Sequence, residues 1–234
     1  MFAIIKRELR AYFTTPLGYV VMAALLLFGG IYYSMTFSYG YADISYVFNS
    51  ILTIILFVVP VLTMRLFSEE KRQKTDQLLI TSPTGITSIV LGKFFAVFIY
   101  FLIFIAVLSV YNFIFYFFGA TPDFMVFLGN IIGLLLFAGS LISIGEFISA
   151  LTESQVVAAV GSFSVSFFLL LIDNVSQLVS NETLIAIGEW VSFSDRYQTF
   201  SEGVFDIANF IFFVSITAAF LFLTVRVIDR KRWA

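Results

Sequence analysis

The stretch RLFSEEKRQKTDQLLITSP, at residues 65–83, is a long charged passage in the middle of an otherwise apolar chain. Ser68 precedes two glutamates, and negative charge is favourable in the first turn of a helix, so the stretch predicts a short helix capped by Ser68. Glu70 and Lys74 would face each other on that helix because they are one turn apart. Pro83 disfavours helical backbone at the residue before it and is expected to end the helix. A solvated loop is the alternative interpretation.

The sequence around this stretch is too apolar for a water-soluble fold. The chain has 234 residues, of which 60% are hydrophobic and 12% charged, and its mean hydropathy is +1.01. Soluble domains carry about 25% charged residues, and a chain of this length has no interior large enough to hide so much apolar surface. Lipid is therefore the expected solvent. Cysteine and histidine are absent, so we predict no disulfide, no metal site and no catalytic residue.

Six apolar windows without charged residues are close to the length that crosses a bilayer, which is about 20 residues. The third exceeds one crossing but is too short for two. We therefore predict an all-α polytopic membrane protein with a single transmembrane domain over residues 1–234. The six windows are residues 17–37, 44–64, 94–122, 124–145, 154–172 and 207–225.

Two segments outside these windows have their own character. In residues 1–15, apolar side chains recur at helical spacing and basic residues lie mostly opposite, which predicts a helix lying in the membrane interface. Residues 173–206 carry most of the charges of the outer connections, and their apolar pieces are too short to span. We expect this segment to form short helices at the outer surface or to dip back into the protein.

The basic residues predict the orientation of the chain. Of the 13 lysines and arginines, all but Arg196 precede the first window, lie between the second and third, or follow the sixth. Basic residues accumulate on the cytoplasmic side of a membrane, and an even number of spans returns the chain to its starting side. Both termini and residues 65–83 are therefore expected in the cytoplasm.

Residues 65–83, together with Leu91, Gly92 and Lys93, resemble the first cytoplasmic loop of the type-2 ABC exporter permeases, the ABC-2 family. The subgroup that they resemble most contains the gliding-motility and copper-enzyme-maturation permeases. Residues 150–155, with Glu153 and Gln155, are similar to the family's next cytoplasmic turn, and residues 223–233 resemble its ending. In the coupling loop, the residues that the resemblance marks for contact with an ATPase are Arg65, Phe67, Glu69, Glu70, Thr75, Leu78, Leu79 and Pro83.

The resemblance implies the transmembrane subunit of an ABC exporter in a bacterial cytoplasmic membrane. Two ATPase subunits, which hold ATP and magnesium, would drive a pair of permeases made of two copies of this chain or of this chain and a paralogue. The chain has no G-x-x-x-x-G-K-[ST] motif, so we expect no ATPase activity and no cofactor in it. Leu78 and Leu79 would enter a cleft on the ATPase. The cargo is left open, and no nucleic-acid partner is expected.

Two other functions fit parts of the sequence. An ABC assembly that transmits ATPase motion to an extracytoplasmic partner, without moving cargo, is not distinguished from an exporter. An ion-coupled secondary transporter would need inverted repeats and polar groups at mid-membrane, and neither is evident. Glu146 is the one acid inside an otherwise apolar stretch. We expect it to reach the interface or pair with a base such as Arg65, rather than to line a substrate path.

Overall fold

The computed structural model describes residues 1–38, 44–75, 84–117, 123–178 and 192–232. Within these ranges all regular secondary structure is helical, which confirms the predicted all-α class. The helices of the described ranges are α1 (Phe2–Thr14), α2 (Pro16–Ser38), α3 (Ile44–Thr63), α4 (Ser68–Arg72), α5 (Ile86–Phe117), α6 (Phe124–Leu151), α7 (Gln155–Leu178), α8 (Phe193–Ser201) and α9 (Ile207–Arg232).

Six of these helices, α2, α3, α5, α6, α7 and α9, are long and apolar enough to cross a membrane, as predicted. Four of them, α5, α6, α7 and α9, extend several residues past the predicted windows, α7 to Leu178 and α9 to Arg232. Helix α5 begins at Ile86 rather than at residue 94, and α6 continues to Leu151 rather than ending at residue 145. The prediction treated Lys93 and Glu146 as boundaries, but both side chains are buried inside helices.

Helix α6 lies at the centre of the bundle and packs against α3, α5, α7, α8 and α9. Its small residues permit close contact with its neighbours. At Gly145 the backbone of α6 lies so near α3 that an added Cβ would be 2.2 Å from Thr63 Oγ1. Thr63 is fully buried, and its hydroxyl donates to the Val59 carbonyl at 2.9 Å. The close contact between α3 and α6 therefore requires glycine at position 145, because any side chain there would overlap Thr63.

The short helix α8 is buried against the first half of α6. Gly129 lies against the Phe200 carbonyl, and the Phe137 ring lies 5.9 Å from the ring of Phe193. Residues 129 and 137 are about 12 Å apart along α6, at about 1.5 Å per residue. Helix α8 thus enters the bundle instead of lying on its surface. It belongs to the 173–206 segment, of which residues 179–191 lie outside the described part, and the extracytoplasmic position of that segment stays a prediction.

The ends of the helices bring the basic residues together. The end of α9, with Arg226, lies beside the start of α5, and the start of α5 lies beside α1. Arg7, Lys93 and Arg226 are therefore at one end of the bundle, which we call the basic end. Arg196, in α8, lies toward the other end.

We predict that Gly145→Ala destabilises the protein whereas Gly139→Ala does not. The new methyl group at position 145 would overlap Thr63, and overpacking of this kind typically costs about 1 to 3 kcal/mol. At position 139 the nearest atom to an added Cβ is in the Phe98 ring at 3.4 Å, an ordinary contact distance. Thermal unfolding of both variants in detergent, followed by size-exclusion chromatography, measures the difference. Equal unfolding temperatures would contradict this account of the α3–α6 contact.

Candidate functional site: a charged junction at the basic end

Lys93 is the centre of the candidate site. It lies on α5 with 1% of its side chain exposed. Its ammonium group lies 3.2 Å from Glu8 Oε1 and 3.0 Å from Glu70 Oε2, and it also donates to the Leu66 carbonyl. An ammonium group has three donors, so all three have partners. These partners come from α1, from α4 and from the turn that precedes α4.

Arg7 closes the set of charges. Its guanidinium lies 2.6 Å from Glu8 Oε1 and 2.7 Å from Glu70 Oε1. We call Arg7, Glu8, Glu70 and Lys93 the junction cluster. It contains two positive and two negative groups and so has no net charge, with Lys93 buried and Arg7 half exposed at its edge. Burial raises the pKa of Glu8, but the nearby Lys93 and Arg7 outweigh it and hold that pKa below its ordinary value.

Helix α6 holds the same turn from the other side. The Ser149 hydroxyl accepts from the backbone amides of Phe67 and Ser68 at 3.0 and 3.2 Å and donates to the Met64 carbonyl at 3.0 Å. The first amides of a helix have no partner within it, so Ser149 caps α4 from a different helix. In return, Lys71 donates to the Ala150 carbonyl near the end of α6, where positive charge is favourable.

A third set of contacts joins α1 to the end of α3. The Tyr12 hydroxyl donates to the Leu62 carbonyl at 2.8 Å, and burial raises the pKa of Tyr12. The Arg65 guanidinium lies 5.0 Å from the centre of the Tyr12 ring and donates to Thr15 Oγ1 at 3.2 Å. A cation over an aromatic ring is attracted to it. Helix α1 is therefore fixed to both α3 and α5.

The described residues of the predicted coupling set have contacts within the chain. The Phe67 ring lies 4.9 Å from the Lys93 ammonium, Glu69 lies 3.6 Å from Arg65, and the Thr75 hydroxyl donates to the Glu70 carbonyl at 3.2 Å. The predicted docking residues Leu78, Leu79 and Pro83 lie outside the described residues. The part of the stretch that the structure describes is thus an anchor for the loop.

The local helix prediction was wrong in two respects. Phe67 is at the N-cap position of α4, whereas Ser68 is its first residue and donates back to the Met64 carbonyl. Glu70 faces Arg7 and Lys93 instead of Lys74, which has a φ of 57° just beyond the helix. A buried ammonium attracts a carboxylate more strongly than an exposed lysine one turn away.

Glu146 does not form the expected ion pair. It is fully buried, and neither carboxyl oxygen has a hydrogen-bond partner among the described residues. Arg65 is directed toward Tyr12, Thr15 and Glu69 instead. Burying a carboxylate without a partner is costly in hydrocarbon. Among the described residues, no ion pair or hydrogen bond of the Glu146 side chain offsets this cost.

The second cytoplasmic turn of the prediction lies between α6 and α7. Glu153 is exposed, and Gln155 is half-buried at the start of α7. Because Ser149 and Ala150 bind α4, this turn lies beside the coupling loop. Arg72 and Lys74 in the loop and Glu153 in the turn are all exposed.

Sequence reasoning named Lys93 only for the family resemblance, without a role in a site, and assigned no site role to Arg7, Glu8 or Ser149. One signal was present for Glu8 and Lys93. Glu8 and Tyr12 are one turn apart in α1, and the structure buries both of them. The signal in the sequence is an acid on the same face of the helix as an aromatic residue, because an acid that is buried there needs a buried cation as its partner. Lys93 meets that need, since it interrupts a stretch of apolar residues that is otherwise continuous from Ile86 to residue 108 apart from small and hydroxyl side chains. Ser149 gave no signal, because it is one small residue among several in α6.

Comparison with known protein families identifies the family of the chain. Residues 20–233 match the sequence model of the family described as ABC-2 family transporter protein. No curated protein matches the chain.

We predict opposite effects for two isosteric changes, Glu8→Gln and Glu146→Gln. Glu8→Gln removes a charged hydrogen-bond partner of Lys93 and Arg7 and should cost about 1 to 3 kcal/mol. Glu146→Gln removes no ion pair and should leave the stability unchanged or raise it. Thermal unfolding in detergent at neutral pH measures both.

The pH dependence provides the control for Glu8. A carboxyl group whose pKa is lowered by folding adds stability above its unfolded pKa, about 4.3 for glutamate, and loses it as the pH falls through the folded value. The difference between the native chain and Glu8→Gln should therefore shrink below about pH 4. A larger loss of stability for Glu146→Gln than for Glu8→Gln would show that Glu146 has a partner.

Proposed function

The chain belongs to the ABC-2 transporter family and is a transmembrane subunit of an ABC transporter, and we propose that it is an exporter driven by ATP hydrolysis on separate ATPase subunits. Two such chains, or this chain and a paralogue, would pair with two ATPase subunits. The chain itself would break no bond. ATP binding and hydrolysis on the partners would move the pair between inward-open and outward-open arrangements as rigid bodies.

The observation that supports coupling is the junction at the start of residues 65–83. This turn is bonded to α1 and α5 through the junction cluster and to α6 through Ser149 and Ala150. A displacement of the loop by an ATPase would therefore move at least three helices. A solvated loop has no need of a buried lysine that joins it to two other helices.

The docking surface proposed for the ATPase has two parts. The exposed charges of Arg72, Lys74 and Glu153 would form a polar rim, which suits the edge of a protein interface. Leu78 and Leu79 would supply the apolar centre, where most of the binding free energy arises. The rim would fix the orientation of the ATPase, and the leucines would provide affinity.

We predict that Leu78→Ala with Leu79→Ala weakens ATPase binding by roughly a hundredfold or more. Burial of one leucine contributes about 1.5 to 3 kcal/mol. The matched control is Arg72→Gln with Lys74→Gln, which should weaken binding less, because exposed ion pairs contribute about 0 to 1 kcal/mol each. Pull-down of the cognate ATPase with the purified permease measures binding. Wild-type binding by the double alanine variant would overturn the docking role.

The junction is tested separately by Glu70→Gln. This change leaves residues 76–83 intact, so the ATPase should still bind, but the loop would be held less firmly to α1 and α5. Stimulation of ATP hydrolysis by the permease should fall while the pull-down remains unchanged. Unaltered stimulation would refute the coupling role of the junction and leave the docking surface untouched.

We also propose that the basic end faces the cytoplasm. The native chain has no cysteine, so single cysteines can be introduced at Ser154 and Glu202, which are both exposed. A membrane-impermeant thiol reagent should label position 202 in intact cells and position 154 only after permeabilisation. The reverse pattern would place the junction outside the cell and exclude a role in ATPase coupling.

A further inference from the structure

A groove between α5 and α9, with α6 as its floor, lies apart from the junction. Its volume is about 450 Å³, within the range of roughly 300 to 1,000 Å³ typical of small-molecule pockets. Helix α5 contributes Phe94 and Phe98, α6 contributes Leu135 and Gly139, and α9 contributes Val214 and Leu221.

The groove is lined by hydrocarbon. Thr217 has the one hydroxyl group among its lining residues, and that hydroxyl donates to the Phe213 carbonyl within α9 at 2.9 Å. The lining side chains therefore offer a ligand no free hydrogen-bond donor, and among them only the Thr217 oxygen can still accept. Whatever lies in this part of the groove must be apolar along its length.

The groove continues toward the basic end. A second cavity of about 310 Å³ shares Leu91 and Leu221 with the first and extends to Arg226 and Asp229. From Val214 to Asp229 the two cavities follow α9 for about 22 Å, at about 1.5 Å per residue. One leaflet, with its headgroup region, is about 20 to 22 Å thick, half of a bilayer of about 40 to 45 Å. The groove therefore has the length of a lipid in one leaflet.

The mouth of the groove carries one positive and one negative charge. Arg226 and Asp229 are three residues apart on α9 and share a face. No ion pair joins either of them to another side chain in the part of the chain that the structure describes. The Arg226 guanidinium lies 5.0 Å from the centre of the Phe222 ring, and that contact leaves its donors free for an acceptor at the mouth.

We propose that this groove binds one phospholipid with a zwitterionic headgroup of the phosphatidylethanolamine type. One acyl chain lies in the apolar part, the phosphate contacts Arg226, and the ammonium group contacts Asp229. An anionic headgroup without an ammonium group could still place its phosphate on Arg226, but it would leave Asp229 without a cationic partner and close to a second negative charge. A second protein chain is a poorer occupant, since an apolar groove of leaflet length with two charges at one end matches an acyl chain and its headgroup better than a helix face.

The test uses the full-length chain in nanodiscs that contain a phosphatidylethanolamine with a photoactivatable diazirine in one acyl chain. Crosslinks mapped by mass spectrometry should concentrate at residues 94–98 and 214–221. Gly139→Leu, which fills the groove, and Arg226→Gln, which removes the phosphate contact, should each lower this labelling by about fivefold or more, equivalent to about 1 kcal/mol.

Matched controls separate the groove from lipid that merely surrounds the protein. Gly139→Ala adds a methyl group at an ordinary contact distance from Phe98 and should label like the native chain. Arg230→Gln, an exposed change on the same helix outside the lining residues, should also have no effect. Equal labelling in the native chain, Gly139→Leu and Arg226→Gln would overturn the site.

Two further measurements test the identity of the occupant. Unlabelled phosphatidylethanolamine should compete for the crosslink more strongly than phosphatidylglycerol, and the reverse order would refute the zwitterionic headgroup. Ala218→Cys places a single cysteine beside the groove and should not form disulfide-linked dimers under mild oxidation. Efficient dimer formation would assign the groove to a second copy of the chain instead.

Discussion

The burial of the Lys93 ammonium is the constraint on which the basic end depends. A charge removed from water is tolerated only with opposite charges and hydrogen bonds around it. The two carboxylates that face the Lys93 ammonium belong to Glu8 and Glu70, which lie in separate segments of the chain. Helices α1 and α4 therefore hold their positions against α5, because separating either one would remove one of the two carboxylates that neutralise the buried ammonium. Arg7 joins the same two carboxylates and reinforces the arrangement.

The α6 side of the loop is fixed by different chemistry. Ser149 caps α4 with neutral hydrogen bonds, and Lys71 satisfies a carbonyl at the end of α6. Charged contacts act over longer distances, whereas a hydroxyl cap requires close and directed geometry. Hydrogen bonds from Ser149 therefore fix the side of the loop that faces α6. Ion pairs of Glu70 with Arg7 and Lys93 hold the side that faces α1 and α5. Under the proposed function, such a turn would transmit a displacement to the bundle, and the exposed Arg72 and Lys74 would face the partner.

The sequence was sufficient for the helical class and the number of spans, because apolar windows of bilayer length require only local information. It failed where a charge is neutralised by a residue far along the chain. Lys93 pairs with Glu8, 85 positions away, so a rule that treats each charge as a span boundary placed the start of α5 too late. The same limitation assigned Glu70 to Lys74, its local neighbour, instead of Lys93. For Glu146 the opposite error occurred: a partner was expected from the cost of burial, yet Arg65 is held by Tyr12 and Thr15.

The two ends of the bundle are stabilised by different interactions, and this difference bears on which end moves. Toward the far end, several of the contacts of α8 join neutral groups: the Tyr197 hydroxyl donates to Asn130 Oδ1 at 2.9 Å, and the Ser45 hydroxyl donates to the Ser201 carbonyl at 2.9 Å. Arg196 there contacts the Asn209 amide oxygen at 2.9 Å. Net contributions of neutral hydrogen bonds are about 1 kcal/mol each, and those to charged groups about 1.5 to 3. Among the described residues, the basic end therefore has more hydrogen bonds between charged groups, and under the proposed function a displacement applied to its loop would be carried by α1, α5 and α6 together.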